Sequence, residues 1–478
     1  MADVLTADQQ TACTAFAAWL ADSEAGVPFV LSGYAGTGKT FLSMRFLAQV
    51  EASGLCWTVV APTHKAVGVL RSHLQAAGLV PTWYPSTIHR LLRLRLRRQG
   101  DRECCEESEH TAAALENLGL VLIDEASMVD SQLLEITLRC AHPFSTRLVF
   151  VGDPAQLPPV GEPESPVFCL GRARAVALRQ VVRHQGPVLR LAQGIREQAL
   201  PCRRPPPLPP VRTAEGRVAL LDRRTWLLEA QSALRRSAET DNPDLARILC
   251  YTNRSLEQLV PIARRALHGA MADQLPVLPG EVLISRSAVM APACREGEAA
   301  AEEPDMVLGS NRELVVRDVA PERCDLADLG VADGPLIDTL TTTVEAGDTV
   351  LSLRLLPPVG SAARQALDAA LERLRGTARD VARDEGKAAA RVLWRRFFLV
   401  RDAFAALGPA AVLTVHRSQG STFGEVFVDA DVFWPRDDLL RRQLVYVAVS
   451  RASRAVALVA GPAGHAEQRL WHDWLAGA

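Results

Sequence analysis

The most constraining stretch is Gly33-Tyr34-Ala35-Gly36-Thr37-Gly38-Lys39-Thr40, which has the spacing G-x-x-x-x-G-K-T. Its flanks give the spacing meaning. Phe29-Val30-Leu31 before it reads as a short buried strand, and Phe41 to Val50 after it reads as an amphipathic helix. A strand, a glycine loop and a helix N-terminus form a cradle for a triphosphate. The glycines let backbone N–H groups curl around the phosphates, and the helix dipole adds positive potential. Lys39 is placed to reach the β- and γ-phosphates, and Thr40 offers a hydroxyl to Mg²⁺. Lys39, Lys65 and Lys387 are the only lysines, so arginine supplies the other positive charge. A chain that uses Arg almost everywhere has Lys in the phosphate loop, where a compact ammonium and a planar fork are not interchangeable.

Two later stretches complete a nucleotide site. Leu120-Val121-Leu122-Ile123-Asp124-Glu125-Ala126-Ser127 is an apolar strand ending in two acids. The Asp124 carboxylate is expected to hold Mg²⁺, and Glu125 to orient or deprotonate an attacking water. Leu148-Val149-Phe150-Val151 leads into Gly152-Asp153-Pro154-Ala155-Gln156-Leu157-Pro158-Pro159, a second buried strand followed by a rigid turn. Its Gln156 has an amide for the γ-phosphate or the attacking water. Upstream, Thr6 is a plausible N-cap of the first helix, and Gln9 beyond it has an amide able to read an adenine edge.

With 478 residues the chain has material for about three domains. It is 48% hydrophobic and 23% charged, an ordinary globular composition. A net charge of -2 gives no global signal for nucleic acid, although a local groove can be basic on a neutral protein. The 10 cysteines include no C-x-x-C pair, and the neighbours Cys104-Cys105 suit neither a zinc site nor an ordinary disulfide. The N-terminus lacks a basic region followed by an apolar core, and no apolar run is long enough to span a bilayer. These features lead to the expectation of a cytoplasmic protein with reduced thiols and no membrane partner.

Along the chain, Thr58-Val59-Val60-Ala61 is a strand leading to Pro62-Thr63-His64-Lys65-Ala66. Ser86-Thr87-Ile88-His89 follows, and then Leu92 to Arg97 alternates apolar and basic residues, which predicts a strand. With Gln99-Gly100-Asp101-Arg102 as a turn, a hairpin is expected near 90–110. Pro201 to Val211 is Pro-rich and reads as an extended, poorly packed linker or surface loop. Short strands from Pro279 onward suggest a small β-barrel. Leu367, Leu371, Leu374, Ala378 and Val381, then Leu393, Phe397, Val400 and Phe404, step as two helix seams. The α/β pattern returns with Thr414-Val415-His416-Arg417-Ser418-Gln419-Gly420 and Val445-Tyr446-Val447-Ala448-Val449-Ser450-Arg451.

The set Gly33–Thr40, Ala61–Ala66, Asp124–Ser127, Gly152–Val160, Thr414–Gly420 and Val445–Arg451 resembles the ordered motifs of superfamily 1 helicases, and most closely their RecD/Dda branch. The resemblance implies an α/β fold: two RecA-like lobes with parallel sheets, a small hairpin insertion and an SH3-like β-barrel insertion with a helical projection. The expected first lobe is 1–89 and 119–185, with a wedge hairpin at 90–118. The second lobe is 186–279 and 408–478, and the barrel with its projection is 280–407. ATP with Mg²⁺ would sit between the lobes, with Gly420 beside the nucleotide and with Arg183 and Arg451 reaching the γ-phosphate. Pro62, Thr63, His64, Lys65, Thr87, His89, Thr414 and His416 would contact single-stranded DNA. The implied activity is 5′-to-3′ translocation with unwinding of duplex or forked DNA. A nucleotide-gated DNA-binding module that does not unwind, and a subunit of a helicase–nuclease complex, are the alternatives. ATP hydrolysis with and without single-stranded DNA separates the first alternative from an active helicase.

Overall fold

The computed structural model describes residues 5–22, 26–99, 102–180, 186–197, 205–290, 306–347, 349–462 and 464–476. It divides into two compact units. One comprises Met1–Arg95, Cys105–Leu259 and Val412–Ala478, and the other Leu96–Cys104 and Val260–Ala411.

The first unit contains two six-stranded sheets. In the first, β1 (Phe29–Gly33), β2 (Trp57–Ala61), β3 (Ser86–Thr87), β4 (Leu120–Ile123), β5 (Arg147–Gly152) and β6 (Arg174–Leu178) run parallel in the order β3-β2-β4-β5-β1-β6. The inner strands alternate their side chains between two covered faces, as a buried parallel sheet requires, whereas the edge strand β6 is largely exposed. Phe29, Leu31, Val59, Leu120, Leu122, Val149 and Val151 join one core. That core takes in α1 (Ala7–Ala21), α2 (Lys39–Ala52) and α3 (His64–Ala77). Phe16 of α1 stacks on Phe46 of α2 at 4.1 Å between ring centroids and meets Phe29 edge-on. Val30, Val60, Val121, Ile123 and Phe150 face the other way, against the helix Ser131–Ala141.

The second sheet consists of β7 (Leu208–Thr213), β8 (Gly216–Leu221), β9 (Ala246–Cys250), β10 (Val412–Thr414), β11 (Phe423–Val428) and β12 (Ala452–Val459). Its order is β10-β9-β11-β12-β8-β7, parallel except for the edge strand β7. The helices α4 (Pro187–Glu197) and α5 (Asp438–Ser450) belong to this half. Gly194 of α4 lies against the Trp474 indole, where a Cβ would fall 2.5 Å from the ring.

Two expectations differ from the structure here. The paired hairpin strands are Arg95–Gln99 and Arg102–Glu106, so strand structure begins after Leu92 rather than at it. Leu92 caps the helix Ile88–Leu91 and is buried in the core, and Arg93 turns the chain with φ 54°. Apolar–basic alternation therefore continues across a helix end, where it does not report strand. The turn residues Gly100 and Asp101 lie outside the described residues. The Pro-rich stretch also departs from a loosely packed linker. Pro205 and Pro206 are buried, and Leu208–Val211 lie in β7, an edge position that tolerates missing N–H groups.

The second unit is built on five antiparallel strands, in the order Thr349–Arg354, Leu336–Ala346, Glu313–Asp325, Val282–Ser285 and Leu407–Pro409. Two of these strands are long, at 13 and 11 residues, where short ones are expected. The edge strands meet through Leu355 and Ala405, so the sheet curls onto a core of Leu283, Leu314, Val316, Val344 and Leu353. The helices Ala362–Asp384 and Arg391–Asp402 pack through Leu367, Ala370 and Val400 against Cys324 and Ile337, at the far ends of the long strands.

Candidate nucleotide and nucleic-acid site

The phosphate loop leaves β1 at Gly33 and enters α2 at Lys39. Gly36 and Gly38 take φ of 81° and 88°, which lets the backbone coil before the helix starts. Thr37 is buried, and its hydroxyl donates to the Tyr34 carbonyl at 2.8 Å. Lys39 Nζ donates to the Gly33 and Tyr34 carbonyls at 2.7 and 3.1 Å, so the ammonium lies across its own loop. Thr40 follows on the first turn of α2.

Asp124 and Glu125 emerge from the end of β4, the second neighbour of β1 in the sheet. Asp124 Oδ1 accepts from the Glu125 N–H at 2.8 Å. Burial, reinforced by the charge of Glu125, pushes the Asp124 carboxyl up to about 7, against the opposing pull of that N–H and of Lys39. Glu125 has φ 52°, a left-handed conformation that a non-glycine residue holds only where its surroundings enforce it. Gln156 lies in the turn after β5 and is buried, and its Oε1 has no hydrogen-bond donor among the described residues.

Gln9 connects α1 to this loop. Its Oε1 accepts from Thr6 N at 3.1 Å in a capping box, and its Nε2 donates to the Thr37 carbonyl at 3.1 Å. One amide hydrogen and one lone pair remain for a base edge.

The second sheet contributes Gly420, with φ 72°, where a Cβ would stand 3.2 Å from Ala66 and 3.3 Å from Thr63 Oγ1. Arg451 caps α5 and is buried. Its guanidinium donates to Val447 O, Ser421 O and Ser450 Oγ, three uncharged oxygens that leave its charge available to an anion. Arg183 lies outside the described residues.

The residues expected to meet nucleic acid cluster at strand carboxyl ends, where open α/β sheets bind ligands. Pro62 and Thr63 follow β2, Thr87 ends β3 beside them, and Thr414 ends β10, with His416 in the turn beyond. Thr63 and Thr87 also cap helices, accepting from Ala66 N and Arg90 N. His64 opens α3, and His89 lies in the helix after Thr87. Burial lowers the pKa of both His89 and His416, although Asp130 partly opposes the shift at His89. Lys65 is partly committed already. Its ammonium lies 3.4 Å from Asp244 Oδ1 and 4.8 Å from the Phe423 ring centroid, both from the second half of this unit.

Four residues enter the site unannounced by local sequence. Tyr446 of α5 accepts from Ala35 N at 3.0 Å and donates to Asp153 Oδ2 at 2.6 Å. Arg196 of α4 lies 3.6 Å over the Tyr34 ring. Asp431 is buried and receives Tyr251 N and Thr252 N at 2.8 Å each, fixing the loop whose Tyr251 ring approaches His416. The only sequence signals for them were the turn holding Asp153 and the motif holding Tyr446.

Two family models match the chain, an AAA domain over 4–200 and a UvrD-like helicase C-terminal domain over 409–459. An uncharacterised protein of Acanthamoeba polyphaga mimivirus is 32% identical over 29% of this chain and 31% of its own. The ATP-dependent DNA helicase Dda of enterobacteria phage T4 is 25% identical over 88% of this chain and 92% of its own. The ATP-dependent RecD2 DNA helicase of Deinococcus radiodurans is 33% identical over 35% of this chain and 21% of its own. The chain thus spans less than a third of the length of the mimiviral protein and of RecD2, and nearly all of Dda. A solved complex of two coordinating Pif1 helicases on forked duplex DNA aligns over 99% of this chain and 98% of its own, with 15% identity and a TM-score of 0.47. At that score the likeness adds no weight. With both matched domains and the ordered motifs on one chain, the protein is homologous to the Dda and RecD2 helicases of superfamily 1.

Proposed function

We propose that the chain is an ATP-dependent DNA helicase that moves on single-stranded DNA, in the 5′-to-3′ direction, and couples hydrolysis to duplex unwinding. The observation that carries this reading is the meeting of the phosphate loop with α5, the helix that ends in Arg451, through the Ala35–Tyr446 hydrogen bond.

The loop amides and Lys39 bind the phosphates, and Lys39 exchanges its two carbonyl partners for phosphate oxygens. Thr40 and Asp124 would hold Mg²⁺. Two hard oxygen donors suit an ion that fills its remaining positions with water and phosphate, and a cation relieves the burial that raises Asp124. Bound there, Mg²⁺ would neutralise charge on the phosphates. Glu125 orients and deprotonates the attacking water, with Gln156 alongside it. Arg451, and Arg183 in the same role, stabilise the transferring phosphoryl group when the two sheets close. DNA lies across the carboxyl ends of both sheets, on Pro62, Thr63, His64, Lys65, Thr87, His89, Thr414 and His416. Hydroxyls, imidazoles and one ammonium suit phosphate and sugar contacts that do not read sequence. The curled five-stranded sheet serves as the SH3-like barrel, its two helices as the projection, and the hairpin as the strand-separating wedge.

The test is ATP hydrolysis with and without single-stranded DNA, followed by fork unwinding with each overhang in turn. Stimulated hydrolysis and unwinding from the 5′ overhang are expected, and Lys39→Ala should abolish both. Hydrolysis without unwinding on either fork would leave a nucleotide-gated DNA-binding module.

A further inference from the structure

The peptide unit joining Tyr34 to Ala35 is held at both ends. Its carbonyl accepts from Lys39 Nζ at 3.1 Å, and its N–H donates to the Tyr446 hydroxyl at 3.0 Å. The Tyr446 hydroxyl donates onward to Asp153 Oδ2 at 2.6 Å. The other Asp153 oxygen accepts from Ala155 N at 2.9 Å, and the Asp153 carbonyl accepts from Gln156 N at 3.1 Å. An unbroken run of hydrogen bonds therefore joins the Lys39 ammonium to the turn that presents Gln156. It passes through one residue of α5.

We propose that Tyr446 is a positioning residue that sets the Gln156 turn against the phosphate loop, so that loop occupancy is felt at Gln156. The inference rests on the ATPase reading above and adds a residue to it.

Three features support it. Tyr446 and Asp153 are both buried, so the hydroxyl and the carboxylate are screened from bulk solvent and their mutual hydrogen bond is the stronger for it. Burial and the Asp153 charge raise the phenol pKa well above its usual value, which keeps the proton available for donation. Hydrogen bonds in series polarise one another. When Lys39 leaves the Tyr34 carbonyl for phosphate oxygens, the cation leaves that series and the bond received by Tyr446 changes with it. Gln156 is the natural end of the path, because its buried Oε1 has no donor among the described residues and lies in the turn the path reaches.

Tyr446→Phe removes the hydroxyl and keeps the ring in place. Its steady-state ATP hydrolysis on saturating single-stranded DNA should show kcat lowered about tenfold, with KM for ATP changed less than threefold. The decisive measurement is the double variant with Gln156→Met. If Tyr446 acts through Gln156, the double variant turns over no more slowly than Gln156→Met alone, whereas a general structural loss multiplies. Asp153→Asn cuts the same series from the other side and should behave like Tyr446→Phe. It carries the test if the phenylalanine variant does not fold. A Tyr446→Phe protein with parental kcat, or one whose loss multiplies with that of Gln156→Met, overturns the inference. A parent protein without DNA-stimulated hydrolysis would instead overturn the ATPase reading itself.

Discussion

Replacing Gln156 by Met should move stability and turnover in opposite directions. The side chain is buried and its Oε1 is unpaired among the described residues. An acceptor stranded in this way costs about 1–3 kcal/mol of desolvation. Met fills a similar volume without a polar end, and volume-conserving swaps cost less than about 1.5 kcal/mol in packing. The balance favours the variant by about 1 kcal/mol, a rise of about 1–2 °C in the melting temperature for a unit of this size. In the proposed reaction the same amide faces the phosphate or the attacking water. Losing one such group, where charge develops, lowers kcat by about 10²–10³. Thermal melting and ATP hydrolysis, measured on the same preparation, read both effects. A gain in stability with a loss of turnover is the signature of a polar group kept for function. A melting temperature lowered by several degrees would show that Oε1 has a native donor. Parental turnover would remove Gln156 from the chemistry.

Arg451→Ala should cut turnover by about 10³-fold or more while nucleotide titration shows ATP affinity nearly unchanged, because the contact is made mainly in the transition state. Weakened affinity with unchanged turnover would make Arg451 a simple binding residue. Replacing Leu96–Cys104 with a short Gly/Ser linker keeps the hairpin base, where Ser108 Oγ donates to Arg93 O. This variant should retain DNA-stimulated hydrolysis and lose fork unwinding; unwinding at the parental rate would place the wedge elsewhere. Burial lowers the pKa of His89 and His416, so both imidazoles are neutral at pH 7. His89→Gln and His416→Gln should then leave the salt slope of DNA binding unchanged, whereas a cation at a phosphate contact adds about 0.7 to it on single strands. Below about pH 6.5 the unfolded chain takes up protons that these folded sites resist, so their contribution to stability is lost as pH falls. The melting temperature of the double His→Gln protein should fall less than the parent's between pH 7 and 5, and an equal fall would refute the assignment.

The parts of the site legible in the sequence are those whose chemistry is local. Gly33 to Thr40 form the loop because strand, glycines and helix start follow one another along the chain. Asp124 and Glu125 are legible because an apolar strand delivers them. Tyr446 is different: its partners Ala35 and Asp153 are distant along the chain, and no spacing rule links a helix residue to a loop so far upstream. Lys65 reads from the sequence only as a contact for DNA, and the fold alone shows that Asp244 and Phe423 also lie against it. Leu92 misled for a related reason. Its alternation with Arg93 starts at the C-cap of a short helix, and so few residues separate that cap from the strand at Arg95 that the pattern does not fix where the strand begins.

The proline run acquires a meaning from its position on β7. Pro209 and Pro210 are exposed on the edge of the second sheet, where the register against β8 shifts between Val218 and Leu220. Neither proline has an N–H, so the outer side of that strand offers an incoming chain an interrupted row of donors. The opposite edge, β10, is only three residues long. A sheet rich in Val, Leu and Ala is thereby blunted at both margins against intermolecular β-pairing. A stretch that reads as a linker or surface loop thus places prolines where gatekeeper residues are effective, at the stage when a half-folded chain has its strands uncovered.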